Sequence, residues 1–211
     1  MLFRSATTGA VAAVLLPFGA ALGAPGYSHR TQYISELGAR DAPDAGLVSF
    51  GFVVVGALLV ATGVVLARSL VEPRSAVWAV AVVALALGGS YLVSGVAPCD
   101  PGCPDGTGEG ERGFDELSSD QRAHDVAGVL GYTVAVGGVV AFAWASRGSD
   151  GAPASLAVAA AAVALALATM QLDSWRGVLQ RLLELVLLVW LVDAVRRLTV
   201  PEERAPLTTS L

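Results

Sequence analysis

The sequence predicts an all-α fold, a polytopic membrane protein built as one bundle of six transmembrane helices, and three observations carry that prediction. Of 211 residues, 55% are hydrophobic and only 15% charged, whereas an ordinary soluble domain is about 25% charged. The apolar residues gather into six runs, each close to the roughly 20 residues that cross a hydrocarbon core about 30 Å thick. The runs also lack the polar residue at every third or fourth position that marks a surface helix of a soluble protein.

The first helix is expected over 6–24. Its short basic start, Met1 to Arg4, and the small residues around Ala21-Leu22-Gly23 also fit a secretory signal peptide. The length of the run favours an uncleaved helix. The second and third helices, over 47–67 and 76–97, contain no charged residue. The fourth is expected over 124–146, the fifth over 154–170 and the sixth over 176–196. All six belong to a single domain, 1–211.

Orientation follows from the arginines. One set of helix ends holds Arg4, Arg68, Arg74, Arg147, Arg196, Arg197 and Arg204; the other holds Arg30, Arg40, Arg112, Arg122 and Arg176 among many acids. Basic residues in short loops stay cytoplasmic. Both termini, with a tail over 198–211, are therefore expected in the cytoplasm of a cell-membrane protein. The long loops 25–46 and 98–123 then lie outside. Eight acids fall between Asp100 and Asp125, and Asp105 to Gly113 reads as flexible. The net charge of −5 and the absence of a basic patch exclude a nucleic-acid partner. The partner expected is membrane lipid, with a small-molecule ligand as a further option.

The polar chemistry is concentrated at the loop end. Cys99 and Cys103 are the only cysteines. A disulfide is expected outside the cell, with free thiols and metal ligation as the alternatives, since two thiolates are half a zinc site. After the first helix comes Tyr27-Ser28-His29-Arg30, then Tyr33-Ile34-Ser35-Glu36-Leu37-Gly38, whose apolar members anchor the loop on the bundle. His124 and Asp125 open the fourth helix. Asp125 suits a helix N-terminus, and His124 can carry protons or bind metal. Gln180, Arg181 and Glu184 interrupt the last helix. Ionisable groups at such depth face the bundle interior with a partner, and Arg181 and Glu184 are spaced to pair along one helix turn. Ser35, Glu36, Asp100, His124, Asp125, Arg181 and Glu184 are thus candidates for one outward-facing pocket. A metal set of His29, His124 and Asp100 could be drawn, but it has no spacing signature, so no metal or cofactor is expected.

These same motifs, in this order, resemble the bacterial and archaeal membrane proteins grouped as domain of unknown function 998. The motif over 33–38 is similar, more distantly, to DRAM and Frag-like membrane proteins of eukaryotes. The resemblance implies a six-helix membrane fold and no established activity; the eukaryotic proteins hint at lipid handling.

Three functions are compatible with this reading. The first is binding of a lipid or small amphiphile at the pocket. The second is a membrane-embedded lipid hydrolase or transferase with His124 as base or metal ligand. No Gly-x-Ser-x-Gly or His-Glu-x-x-His motif supports it. The third, a transporter, ranks last, because no pair of broken helices stands out.

Overall fold

The computed structural model describes residues 2–71, 73–103, 113–149 and 151–199. Within them the chain is all-α, with six long helices: α1 (Leu2–Ala21), α2 (Ala45–Arg68), α3 (Arg74–Val96), α4 (Ser119–Ala145), α5 (Gly151–Gln171) and α6 (Arg176–Thr199). Short 3₁₀ turns lie over Ile34–Gly38, Phe114–Glu116 and Asp173–Trp175. Of the stretch read as flexible, 105–112 lies outside the described residues, as does the tail from 200 onward.

Among the described residues four helices, α2 to α5, are long and apolar enough to cross a membrane. The sequence led us to expect six. The difference at α6 has a plain cause: Arg176, Arg181, Glu184, Asp193, Arg196 and Arg197 are distributed along it. Helix α4 begins at Ser119 rather than 124 because Ser118 caps it, its hydroxyl accepting from the Gln121 amide at 3.1 Å.

Each helix packs on its sequence neighbours, α6 returns to α1, and α3 also touches α6. The most buried of the four apolar helices is α3. Small residues let its neighbours approach. A Cβ at Gly88 would lie 2.7 Å from the Val60 nitrogen on α2, and one at Gly138 of α4 would lie 2.5 Å from Val83. Such contacts are how membrane helices associate when lipid removes the hydrophobic drive between them.

Large apolar side chains point outward around the whole ring. Leu15, Phe50, Trp78, Val129, Leu167 and Val189 are all half or more exposed. Each Å² of apolar surface left in water costs about 25 cal/mol, so this surface suits hydrocarbon.

The loop after α1 folds onto the bundle, as its apolar residues require. Ile34 and Leu37 are buried with Val48 and Phe52 of α2. The Glu36 carboxylate accepts from the Tyr33 amide at 2.8 Å, which closes the 3₁₀ turn. The same end of the bundle carries residues 97–103, residues 113–118 and the start of α6, and there the polar side chains meet.

Candidate functional site

Helix spacing builds the site. His124, Gly128 and Tyr132 are four apart on α4; Gln180 and Glu184 are four apart on α6; Ser90 and Ser94 are four apart on α3 with Tyr91 beside them. These residues, with Ile34 and Ser35 from the loop and Phe52 from α2, line one cavity of about 60 Å³. Glu184 stands at its wall, buried in the bundle. The Tyr132 hydroxyl donates to Glu184 Oε1 at 2.6 Å and the Tyr91 hydroxyl donates to Oε2 at 3.0 Å. A carboxylate offers about four lone-pair sites, so two tyrosines leave acceptor capacity for a third group. Tyr91 is itself held edge-on against Phe52.

Of the seven pocket candidates, Ser35, His124 and Glu184 line this cavity. The other four sit in two adjoining networks. Asp100 and Asp125 meet through Gln121, which is almost fully buried. Its Oε1 accepts from the Asp100 amide at 2.8 Å, and its Nε2 donates to Asp125 Oδ1 at 2.8 Å. The Asp100 carboxylate also accepts from the Ser118 amide and lies 3.9 Å from Arg40. This network ties the 97–103 segment to the start of α4.

Arg181 and Glu36 belong to the second network, which clamps the 27–36 loop to α6. Arg181 Nη1 donates to the carbonyl oxygens of His29, Gln32 and Gly177 at 3.1, 3.2 and 2.7 Å, and Nη2 donates to the Tyr27 hydroxyl. Among the described residues no ion pair joins Arg181 to Glu184, despite their spacing. Glu36 accepts from Gln32 Nε2 at 2.6 Å and faces Arg176 at 4.0 Å. The Ile34 amide donates to Gln180 Oε1 at 2.8 Å. Burial raises the Tyr27 pKa, against the pull of Arg181, so the hydroxyl keeps its proton and donates to the Tyr33 carbonyl at 2.9 Å. Burial, helped by Arg181, lowers the His29 pKa.

His29 packs against Phe18 and Tyr27, and among the described residues it does not join His124 and Asp100 in a metal-sized group. The ligand atoms that do come together belong to Cys99, Cys103 and His124. Cys99 and Cys103 form a disulfide, beside Ser35.

A larger cavity, about 440 Å³, lies toward the other end between α4, α5 and α6, walled by Phe142, Val158, Leu185 and Val189. Its polar groups are already matched: Trp190 Nε1 donates to Ser155 Oγ at 3.0 Å, and Arg197 pairs with Asp193. A binding site needs a few convergent polar groups, and those, with acceptor capacity to spare, lie at Glu184.

Sequence reasoning missed Gln121 and Tyr132. Gln121 reads as a surface residue before an apolar run, and Tyr132 as a packing aromatic. The available signal was the four-residue spacing of Tyr132 from Gly128 and His124.

The family profile described as "Protein of unknown function (DUF998)" matches residues 7–196. No curated protein and no solved structure matches the chain.

Proposed function

The chain belongs to the DUF998 family of proteins of unknown function, and on that premise we propose that it binds a lipid or small amphiphile in the membrane through Glu184. In this reading all six helices span the cell membrane. The arginine distribution puts both termini in the cytoplasm and the loop end outside, where a disulfide is at home.

The observation that carries the proposal is the two-tyrosine cradle around a buried carboxylate that faces a cavity. An ionisable group at this depth is costly to keep, and here its partners orient it without saturating it. The cavity's 60 Å³ holds about four to six water-sized groups, at about 10–15 Å³ each. That is room for the tip of a head group, not for a whole phosphodiester. The acceptor lining favours a small cationic or hydroxyl-bearing head, such as an amine, while Arg181, the nearby cation, is engaged with the loop. The apolar remainder of the ligand lies along the exposed helix faces.

Native mass spectrometry of the protein extracted in mild detergent tests this. Wild type is expected to retain an amine- or hydroxyl-bearing amphiphile, and Glu184→Gln to lose most of it while staying folded. Equal retention by both proteins overturns the proposal.

A further inference from the structure

The two thiolates of Cys99 and Cys103 would be half a metal site, and the fold supplies a third ligand. One ligand atom from each of Cys99, Cys103 and His124 lies within 4.8 Å of the other two, and all three residues are buried. Three protein ligands and an open fourth position are the usual set at a reactive zinc centre. In the structure the two sulfurs are joined. A disulfide sulfur carries no proton, yet each one faces an acceptor. Cys99 Sγ lies 3.4 Å from the Ser35 carbonyl oxygen, and Cys103 Sγ lies 3.5 Å from Ser35 Oγ. Two thiols at these positions have hydrogen-bond partners that the disulfide leaves unused. The His124 ring is held in turn, its Nδ1 3.3 Å from the Ala97 carbonyl oxygen. Backbone carbonyls of this kind orient metal-binding histidines.

We propose that the reduced Cys99–Cys103 pair and His124 bind one thiophilic cation, Zn²⁺ or Cu⁺, and that disulfide and metal occupy the site alternately. The atoms balance simply. Two thiols of a small-molecule thiol or a dithiol exchange partner deliver two electrons and two protons to the Cys99–Cys103 bond and leave as a disulfide. The cation then displaces the two thiol protons. In the reverse exchange a small-molecule disulfide takes two electrons from the pair and two protons from solvent and leaves as two thiols, the Cys99–Cys103 bond re-forms and the cation is released. In a tetrahedral zinc site, with Zn–S of about 2.3 Å, the sulfurs stand about 3.8 Å apart. Side-chain rotation reaches that separation across a Cα–Cα distance of 5.0 Å.

The test uses the full chain in detergent, reduced with a phosphine and titrated with Co²⁺, then Zn²⁺. The reduced wild type is expected to bind one cation per chain, with a thiolate-to-cobalt charge-transfer band that Zn²⁺ abolishes. The oxidised protein and the Cys99→Ser/Cys103→Ser double variant are expected to show neither. Affinity should fall at least about tenfold in His124→Ala, since even partners that only support a ligand contribute about 10–100-fold. X-ray absorption on the wild-type zinc complex, which needs no variant to fold, should show two sulfurs and an imidazole. The proposal is overturned if reduced wild type binds no more than the double-serine variant, if the shell lacks sulfur or imidazole, or if His124→Ala binds as tightly.

Discussion

Replacing Arg181 by Met keeps the aliphatic stem and removes the guanidinium that clamps the 27–32 loop to α6. Three loop groups lose a donor: the His29 and Gln32 carbonyl oxygens and the Tyr27 hydroxyl. The Gln32 oxygen keeps a long contact from Tyr27 at 3.5 Å, and Tyr27 still donates to Tyr33. The His29 carbonyl bears most of the loss; a fully buried acceptor left unsatisfied costs about 1–3 kcal/mol, and this one is part-buried. Against this, Arg181 Nε is itself buried without a partner, a cost of similar size that the substitution removes. Other ties remain: the Gly177 amide donates to the Arg30 carbonyl at 3.0 Å and Arg176 Nε donates to the Thr31 carbonyl at 2.8 Å. The net change in global stability is therefore expected to be small, about 1–2 kcal/mol. The local change should be larger. Hydrogen exchange of the amides over 28–34, measured in detergent, should accelerate roughly tenfold or more, while α2 and α3 keep their protection. Unchanged exchange across this loop would refute the clamp.

Three further outcomes can be checked. Gly88→Ala places a methyl against the α2 backbone and should cost about 1–3 kcal/mol, read by unfolding in detergent; a neutral result would mean that α2 and α3 can part freely. Gln121→Leu leaves the Asp100 amide without its side-chain acceptor and should cost about 1–3 kcal/mol, with faster exchange confined to the 97–103 segment and the start of α4. His29, whose folded pKa is lowered, binds its proton more readily in the unfolded chain. Stability is thus full above about pH 6.5 and falls as pH drops from there toward the folded pKa. His29→Phe should flatten that slope, and an unaltered slope would assign the dependence elsewhere.

The helices were legible because long apolar runs without a polar stripe have few other uses. Four of them meet the requirement for crossing on their own. The ionisable residues of α6 weaken the signal there; Asp193 and Arg197 pair along the helix, while Arg176, Arg181 and Glu184 find partners on other elements. The α4 start was legible only in part: Asp115 to Arg122 reads as a short surface helix leading into the fourth helix, and from Ser119 that stretch is the first turn of α4 itself, capped by Ser118. Within the site, Glu184 and His124 were legible as ionisable groups beside apolar runs. The pairing of Arg181 with Glu184, suggested by spacing, is not formed among the described residues. Spacing along a helix does not say which neighbour lies across from it, and Tyr91 and Tyr132 reach Glu184 from α3 and α4. Likewise Cys99 and Cys103 indicated a disulfide, but the approach of His124 depends on how α4 packs.

The most direct measurement of the central claim is an experimental structure of the protein in a lipid bilayer, resolved well enough to separate water from a head group in the Glu184 cavity. The account predicts continuous density from the lipid-facing surface that ends in a nitrogen or hydroxyl oxygen within hydrogen-bond distance of Glu184, with Tyr91 and Tyr132 still donating to it. A cavity filled by discrete waters alone, unchanged when an amine-bearing amphiphile is added in excess, would contradict it.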